Sequence, residues 1–350
     1  MFGLRKPMFQ ARQLLLQQLP EYPVASAWSP SGEYLAVATA DGCIHLLSLT
    51  QTGGQHSWQA HATPIQKLCW HPFAAVLSSA GQDALVKHWA VADQAVPHLL
   101  SEAQQPQDWI EDLAWRPDGK LLAVAAGRVA SVYERSGKLA STIDFSVSTI
   151  AALAWSPRGT ELALAGYQGI QLYREVGRKP QATRLFWQGS LLTCCWSPDG
   201  KIIAACSQDN SLHFWRVKSL RDAQMSGFPA KPRAMAFTPD SRYLVTGGSE
   251  CLTTWDFSGT GPEGTAPGEL HYHQDIVTTL TIAPDTGHLA AGSKDGVVSL
   301  WQNTAAEHPY YHFRMSAPLV GLHWQSLDGQ QLLAALDQAG HVGVWVLYLG

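Results

Sequence analysis

What most constrains this chain is a phrase that it keeps repeating. Residues 195–215, CWSPDGKIIAACSQDNSLHFW, hold an apolar run closed by Trp196 and the turn Ser197-Pro198-Asp199-Gly200. A second run over 202–206, a turn at Gln208-Asp209-Asn210 and a third run ending in Leu212, Phe214 and Trp215 follow. Runs this short do not make helices, and the Pro, Asp, Gly and Asn between them favour tight turns, so the phrase reads as three β-strands and two turns. It recurs with first-strand anchors at Trp28, Trp70, Trp115, Trp155, Trp196, Phe237, Ile282 and Trp324, spaced 40 to 45 residues apart. The turns after the anchors are SPSG, HPFA, RPDG, SPRG, SPDG, TPDS, APDT and QSLDG. Each is followed by a strand of small apolar residues such as LAVATA or LAVAAG, then by a strand ending in a large one: Leu47, Trp89, Tyr133, Tyr173, Trp215, Trp255, Trp301 or Trp345. A unit of this size cannot bury its faces alone and must stack on its neighbours.

The period fits four strands per repeat in radial arrangement, with the small residues where neighbouring sheets crowd together. In this pattern the chain resembles the WD-repeat β-propeller family, whose blades are often locked by a hydrogen-bonded tetrad of His, Ser or Thr, Asp and Trp. The second repeat matches that structural tetrad at His61, Ser79, Asp83 and Trp89. The seventh keeps His273, Asp295 and Trp301 with Ala291 at the hydroxyl position, and the fifth keeps Asp209 and Trp215. The third and fourth rest on periodicity and anchor alone, with Tyr133 and Tyr173 in place of the tryptophan.

The expected fold is therefore all-β: a single closed β-propeller of eight four-stranded blades over residues 1–350, with seven blades as the alternative and the third and fourth repeats as the suspects. The repeats fall at about 23–63, 64–109, 110–149, 150–190, 191–232, 233–276, 277–318 and 319–350. The eighth ends after its third strand, so residues 12–19 are expected to pair with 342–346, close the ring and cover a bare edge. Residues 259–268 read as a mobile Gly/Pro-rich loop, and 99–108 as a polar connector.

Composition narrows the function. The chain is 46% hydrophobic with 14 Trp, and its net charge of −4 gives no basic field for a phosphate backbone, which argues against nucleic acid as a partner class. Six cysteines stand without a CxxC pair, mostly in apolar strand runs, which favours a reducing, cytoplasmic setting. No stretch reads as an export signal or a membrane span. Phosphate-binding and nucleophile motifs are missing, no cofactor is implied, and no catalytic residue emerges.

Two features remain. The chain has 14 His; Glu269, His271 and His273 alternate, as do His308, Tyr310 and His312 on what is expected to be the next outer strand, so a metal-handling rim built from His271, His273, His308 and His312 is one reading. His45, His88, His213 and His341 recur on third strands and read as packing or surface residues. The other feature is a set of loop residues. The family resemblance implies a non-enzymatic scaffold that binds a protein or peptide, with the top-face loops as the contact surface, and the matching positions are Tyr22, Gln82, Asp108, Trp109, Arg128, Tyr167, Trp187, Gln208 and Lys294. The aromatics and Arg128 are favoured interface anchors, although a Trp there can equally plug a seam between blades. A small-ligand binder or enzyme using the central channel is a further alternative. The cluster Arg174, Arg178, Lys179 and Arg184 reads as a solvated face.

Overall fold

The computed structural model describes residues 10–49, 54–91, 96–106, 109–176 and 179–348. Its regular structure is entirely strand, and among the described residues no helix is long and apolar enough to cross a membrane. The strands form seven hydrogen-bonded sheets, six of four strands and one of six. The second repeat is representative. Ile65–Trp70, Val76–Gly81, Leu85–Ala90 and His98–Gln104 pair antiparallel in chain order, so the expected polar connector over 99–108 is largely the outer strand.

The count of seven sheets matches the smaller of the two expected numbers, and it departs from eight separate blades at the fourth and fifth repeats. Strand Glu161–Arg174 turns back on itself at Gln168 and Gly169, with φ of 66° and 108°, and the Arg174 guanidinium reaches Glu161 at its opposite end at 2.8 Å. A side chain on Gly169 would meet the Leu185 carbonyl at 2.1 Å, so only glycine permits this approach. Strand Gln181–Trp196 then runs unbroken from the outer position of the fourth repeat into the first position of the fifth. The suspected third repeat is a regular four-stranded sheet.

By packing, the chain divides into two compact units, Val24–Arg233 and Ala234–Gly350 together with the segment up to Pro23. Within each, the core lies between consecutive sheets. Ala36, Ile44 and Leu46 pack on Leu68, Leu77 and Trp89 in the first unit, and Ala290, Val298 and Leu300 on Leu322, Trp324 and Leu333 in the second. The second strands are almost completely buried on both faces, which is why they carry so much Ala, Ser and Gly.

The expected closing strand is present in the second unit. Gln10–Gln18 pairs antiparallel with His341–Tyr348, with Arg12 opposite Val346 and Gln17 opposite Val342, and a bulge falls between Gln13 and Leu15. The backbone N–H of Leu19 continues the join to the Gly340 carbonyl at 2.8 Å. Deleting residues 1–19 should bare the edge of His341–Tyr348, lower the Tm and promote self-association. Thermal melting with light scattering checks this; an unchanged Tm in a monodisperse sample would show that the strand contributes nothing.

Candidate functional site: a loop rim on a hydrogen-bonded frame

The first layer of the site is the frame that holds its loops. His61 is buried between two partners, its Nδ1 lying 2.9 Å from Asp83 and its Nε2 2.7 Å from Ser79 Oγ, which also accepts the Trp89 indole N–H at 2.9 Å. The tetrad runs from the loop leading into the repeat to its third strand, fixing both ends of the turn at Gln82. The seventh repeat reaches the same lock by a different route. His273 lies 2.9 Å from Ser293 Oγ and 2.8 Å from Ser299 Oγ, Ser299 accepts the Trp301 indole N–H at 2.8 Å, and Ser293 donates to Asp295. The hydroxyl that Ala291 lacks is thus supplied by Ser299, directly across the strand pair from it.

In the Val24–Arg233 unit the loops at one end of the sheets are tied into a strip. Gln82 N–H bonds the Pro64 carbonyl at 3.1 Å, Ile110 N–H the Gly81 carbonyl at 3.3 Å and Ile150 N–H the Gly127 carbonyl at 2.8 Å. Tyr167 N–H bonds Ser148 Oγ at 2.9 Å, and Gln208 N–H the Ser190 carbonyl at 2.9 Å. Glu111 accepts the Gly127 N–H at 2.9 Å; burial raises its pKa above the ordinary carboxylate range, and this bond and the Trp109 side chain pull it back down. Turns from successive repeats are thereby held side by side on a rigid support.

This strip carries most of the residues singled out from the sequence. Trp109 is 54% exposed and Tyr167 45%, Arg128 and Gln208 are exposed, and Gln82 is half-buried. Arg128 stands 3.7 Å from Asp144, both open to water. Trp187 behaves differently: it is half-buried and stacked on His213, ring centroids 4.0 Å apart, while His213 Nε2 lies 2.8 Å from Asp222. Trp187 therefore fills a seam. Asp108 and Arg178 lie outside the described residues. Tyr22 and Lys294, both exposed, belong to the other compact unit.

The inner strands of the same unit bring a charged pair together, Lys67 and Asp112, at 2.9 Å. Asp112 also accepts the Leu113 and Leu153 N–H groups, both at 3.0 Å. Its oxygens join three successive repeats, and the carboxylate raises the Lys67 pKa. Cys69 and Cys195, on the first strands of the second and fifth repeats, have their pKa pushed up to about 12 by burial, so they are protonated at neutral pH.

The four candidate metal histidines do not converge. His273 is spent on Ser293 and Ser299, and the His312 ring leans on Tyr272 with centroids 5.2 Å apart. His308 is exposed and precedes the outer strand Tyr311–Arg314 instead of lying on it, so it does not alternate with His312 along a strand. His271 is the one that meets other ligating groups, Glu269 and Cys251. Sequence reasoning left Cys251 out because it is paired with His271 only through the strand register.

These sheets and their stacking make the chain a β-propeller. The solved structures agree on the fold: the crystal structure of the computationally designed Ika8 protein superposes with a TM-score of 0.78 over 95% of this chain and 99% of that one, at 17% identity. The family model "WD domain, G-beta repeat" matches residues 180–216 and 264–302, and that of the anaphase-promoting complex subunit 4 WD40 domain matches 24–73 and 87–158. The chain is a WD-repeat β-propeller. Among curated proteins it is similar to transducin beta-like protein 3 of Rattus norvegicus, 23% identical over 81% of this chain, and of Bos taurus, 24% identical over 80%. It spans 37% of the length of both relatives.

Two predictions follow from the frame. Ser79→Ala leaves the Trp89 indole N–H and one His61 nitrogen buried without a partner and should cost about 1–3 kcal/mol, read from urea unfolding. The second concerns His88, whose Nδ1 lies 2.8 Å from Ser78 Oγ and whose pKa burial pushes down to about 4. The unfolded chain, with an ordinary His pKa of about 6.5, binds the proton first, so stability present above that pH is lost as pH falls towards about 4. His88→Gln should flatten this limb of the stability profile; an unaltered limb would place the acid sensitivity elsewhere.

Proposed function

We propose that this WD-repeat propeller is a non-enzymatic scaffold that binds a protein or peptide segment through the loop rim of its Val24–Arg233 unit. The observation that carries this reading is the exposure of Trp109, Tyr167 and Arg128 on turns that backbone hydrogen bonds hold in one strip. Large aromatics and Arg on a rigid support are the residue types that anchor interfaces: the aromatics bury much area at a low cost in conformational entropy, and Arg supplies several charge-assisted hydrogen bonds. Gln82 and Gln208 add polar contacts at the same turns. Asp108 is included on its position beside Trp109, and Tyr22 and Lys294 as candidate contacts on the other unit. Trp187 contributes by fixing its loop against His213.

A peptide or protein ligand fits this surface better than a small molecule does. The inner-strand charges, Lys67 and Asp112, are engaged with each other and, at Asp112, with backbone N–H groups, whereas the rim is open and amphipathic. Membership of a larger assembly is part of the proposal and rests on the similarity to WD40 domains such as that of anaphase-promoting complex subunit 4. A reducing, cytoplasmic location is supported by six free cysteines.

Affinity capture from native cells tests the reading. The wild-type chain should retain a stoichiometric protein partner, while Trp109→Ala combined with Arg128→Ala should lower retention at least tenfold with an unchanged Tm. Equal retention by the double variant would remove this rim from the interface.

A further inference from the structure

We infer that Cys251, Glu269 and His271 form a binding site for a thiophilic divalent cation of the Zn2+ class. Independent of the partner-binding reading, this inference rests on the sixth repeat alone. Cys251–Asp256 and Gly268–His271 are its third and outer strands, and their register sets Cys251 directly opposite His271. Directly opposed residues project to the same face of an antiparallel pair, and so do residues two apart on one strand. Glu269 therefore joins the other two on that face. Cys251 Sγ, a Glu269 carboxylate oxygen and a His271 ring nitrogen all lie within 4.8 Å of one another, and His271 Nε2 is 2.9 Å from Glu269 Oε2.

The donor set points to a class of metal. Thiolate, imidazole and carboxylate together suit a borderline-soft ion, whereas Mg2+ and Ca2+ take oxygen ligands. Bonds of 2.0–2.3 Å in a tetrahedron put ligand atoms about 3.5 Å apart, so the three side chains need only a small contraction from their present spread. A thiolate and a carboxylate balance the charge of a divalent ion, and the neutral imidazole completes three protein ligands with a fourth position open to water or an incoming ligand. Cys251 is held in place by the Ser249 hydroxyl, which donates to the Cys251 carbonyl at 2.8 Å, accepts the Cys251 N–H at 3.3 Å and lies 3.4 Å from Cys251 Sγ. Glu269 and His271 are exposed and Cys251 is half-buried, so an ion reaches the site without any part of the core opening. A bare His271–Glu269 pair at this exposure contributes little to stability.

Metal-stripped, reduced full-length protein titrated with Co2+ tests the site. One equivalent should bind with a thiolate-to-cobalt charge-transfer band in the near ultraviolet, and one equivalent of Zn2+ should displace it. Cys251→Ser should abolish the band. His271→Ala and Glu269→Gln, at exposed positions, should keep the wild-type Tm and weaken Zn2+ binding at least tenfold, the least expected when a ligand is lost. His308→Ala and His312→Ala should change nothing. A wild-type chain without the band, a band that survives Cys251→Ser, or an affinity unmoved by His271→Ala would overturn the assignment.

Discussion

The bond on which the repeat architecture of the Val24–Arg233 unit depends is the one from the first-strand tryptophan to the repeat before it. Trp70 donates its indole N–H to the Ala27 carbonyl at 3.0 Å, Trp155 to Ala114 at 3.1 Å and Trp196 to Ala154 at 3.2 Å. Each acceptor is the residue just before the preceding anchor, at separations of 43, 41 and 42 residues. The acceptors lie on first strands, which are sheet edges and leave part of their backbone without a ladder partner. A ring that is both bulky and a donor meets two needs there: it fills the space between sheets and satisfies a carbonyl at the edge. In the other unit Ile282 packs between its sheet and the one before without supplying a donor, and in this unit Trp115 turns its N–H to Ser78 Oγ at 3.0 Å. The sequence period is thus the spacing of a physical stitch.

The lock inside each repeat obeys a looser rule. His61 and Ser79 make the expected tetrad, yet in the seventh repeat His273 finds its hydroxyls on Ser293 and Ser299. In both of these repeats the buried imidazole and the buried indole N–H find partners, and leaving either unpaired would be costly. Strand register puts position 299 opposite position 291, so either side of the strand pair can supply the oxygen. In the third and fourth repeats the demand falls away with the residues: Tyr133 accepts from Gln105 at 2.9 Å and Tyr173 donates to Gln171 at 2.5 Å.

Those particulars explain how much could be read in advance. Strand identity and the closing segment were legible because hydrophobic period and turn chemistry are local, and residues 12–19 had no other place in the pattern. The joining of the fourth and fifth repeats was not, since it depends on how Gly169 and a long strand through Gly189 sit against their neighbours. The rim was half legible. Trp109 and Trp187 occupy matching positions, and what separates the exposed one from the seam-filling one is His213, 26 residues downstream of Trp187 and beside it only in the fold. Cys251 and His271 became neighbours by the same logic of register, which no spacing rule for metal ligands anticipates.

The rim depends on the stitch. Loops bind well when their conformation is already fixed, since ordering them on contact would cost entropy for every residue. Here the fixing is done by N–H groups that reach from one repeat to the next, at Ile110 to Gly81 and at Ile150 to Gly127, so each displayed turn is braced by the repeat beside it. The brace needs the repeats to hold a constant offset, and the indole bonds between first strands span the same step from one repeat to the next. A change at a surface residue such as Trp109 leaves these bonds in place, while loss of a first-strand tryptophan such as Trp70 removes a bond between repeats, and the division between a braced interior and a free rim is what allows one fold to serve many partners.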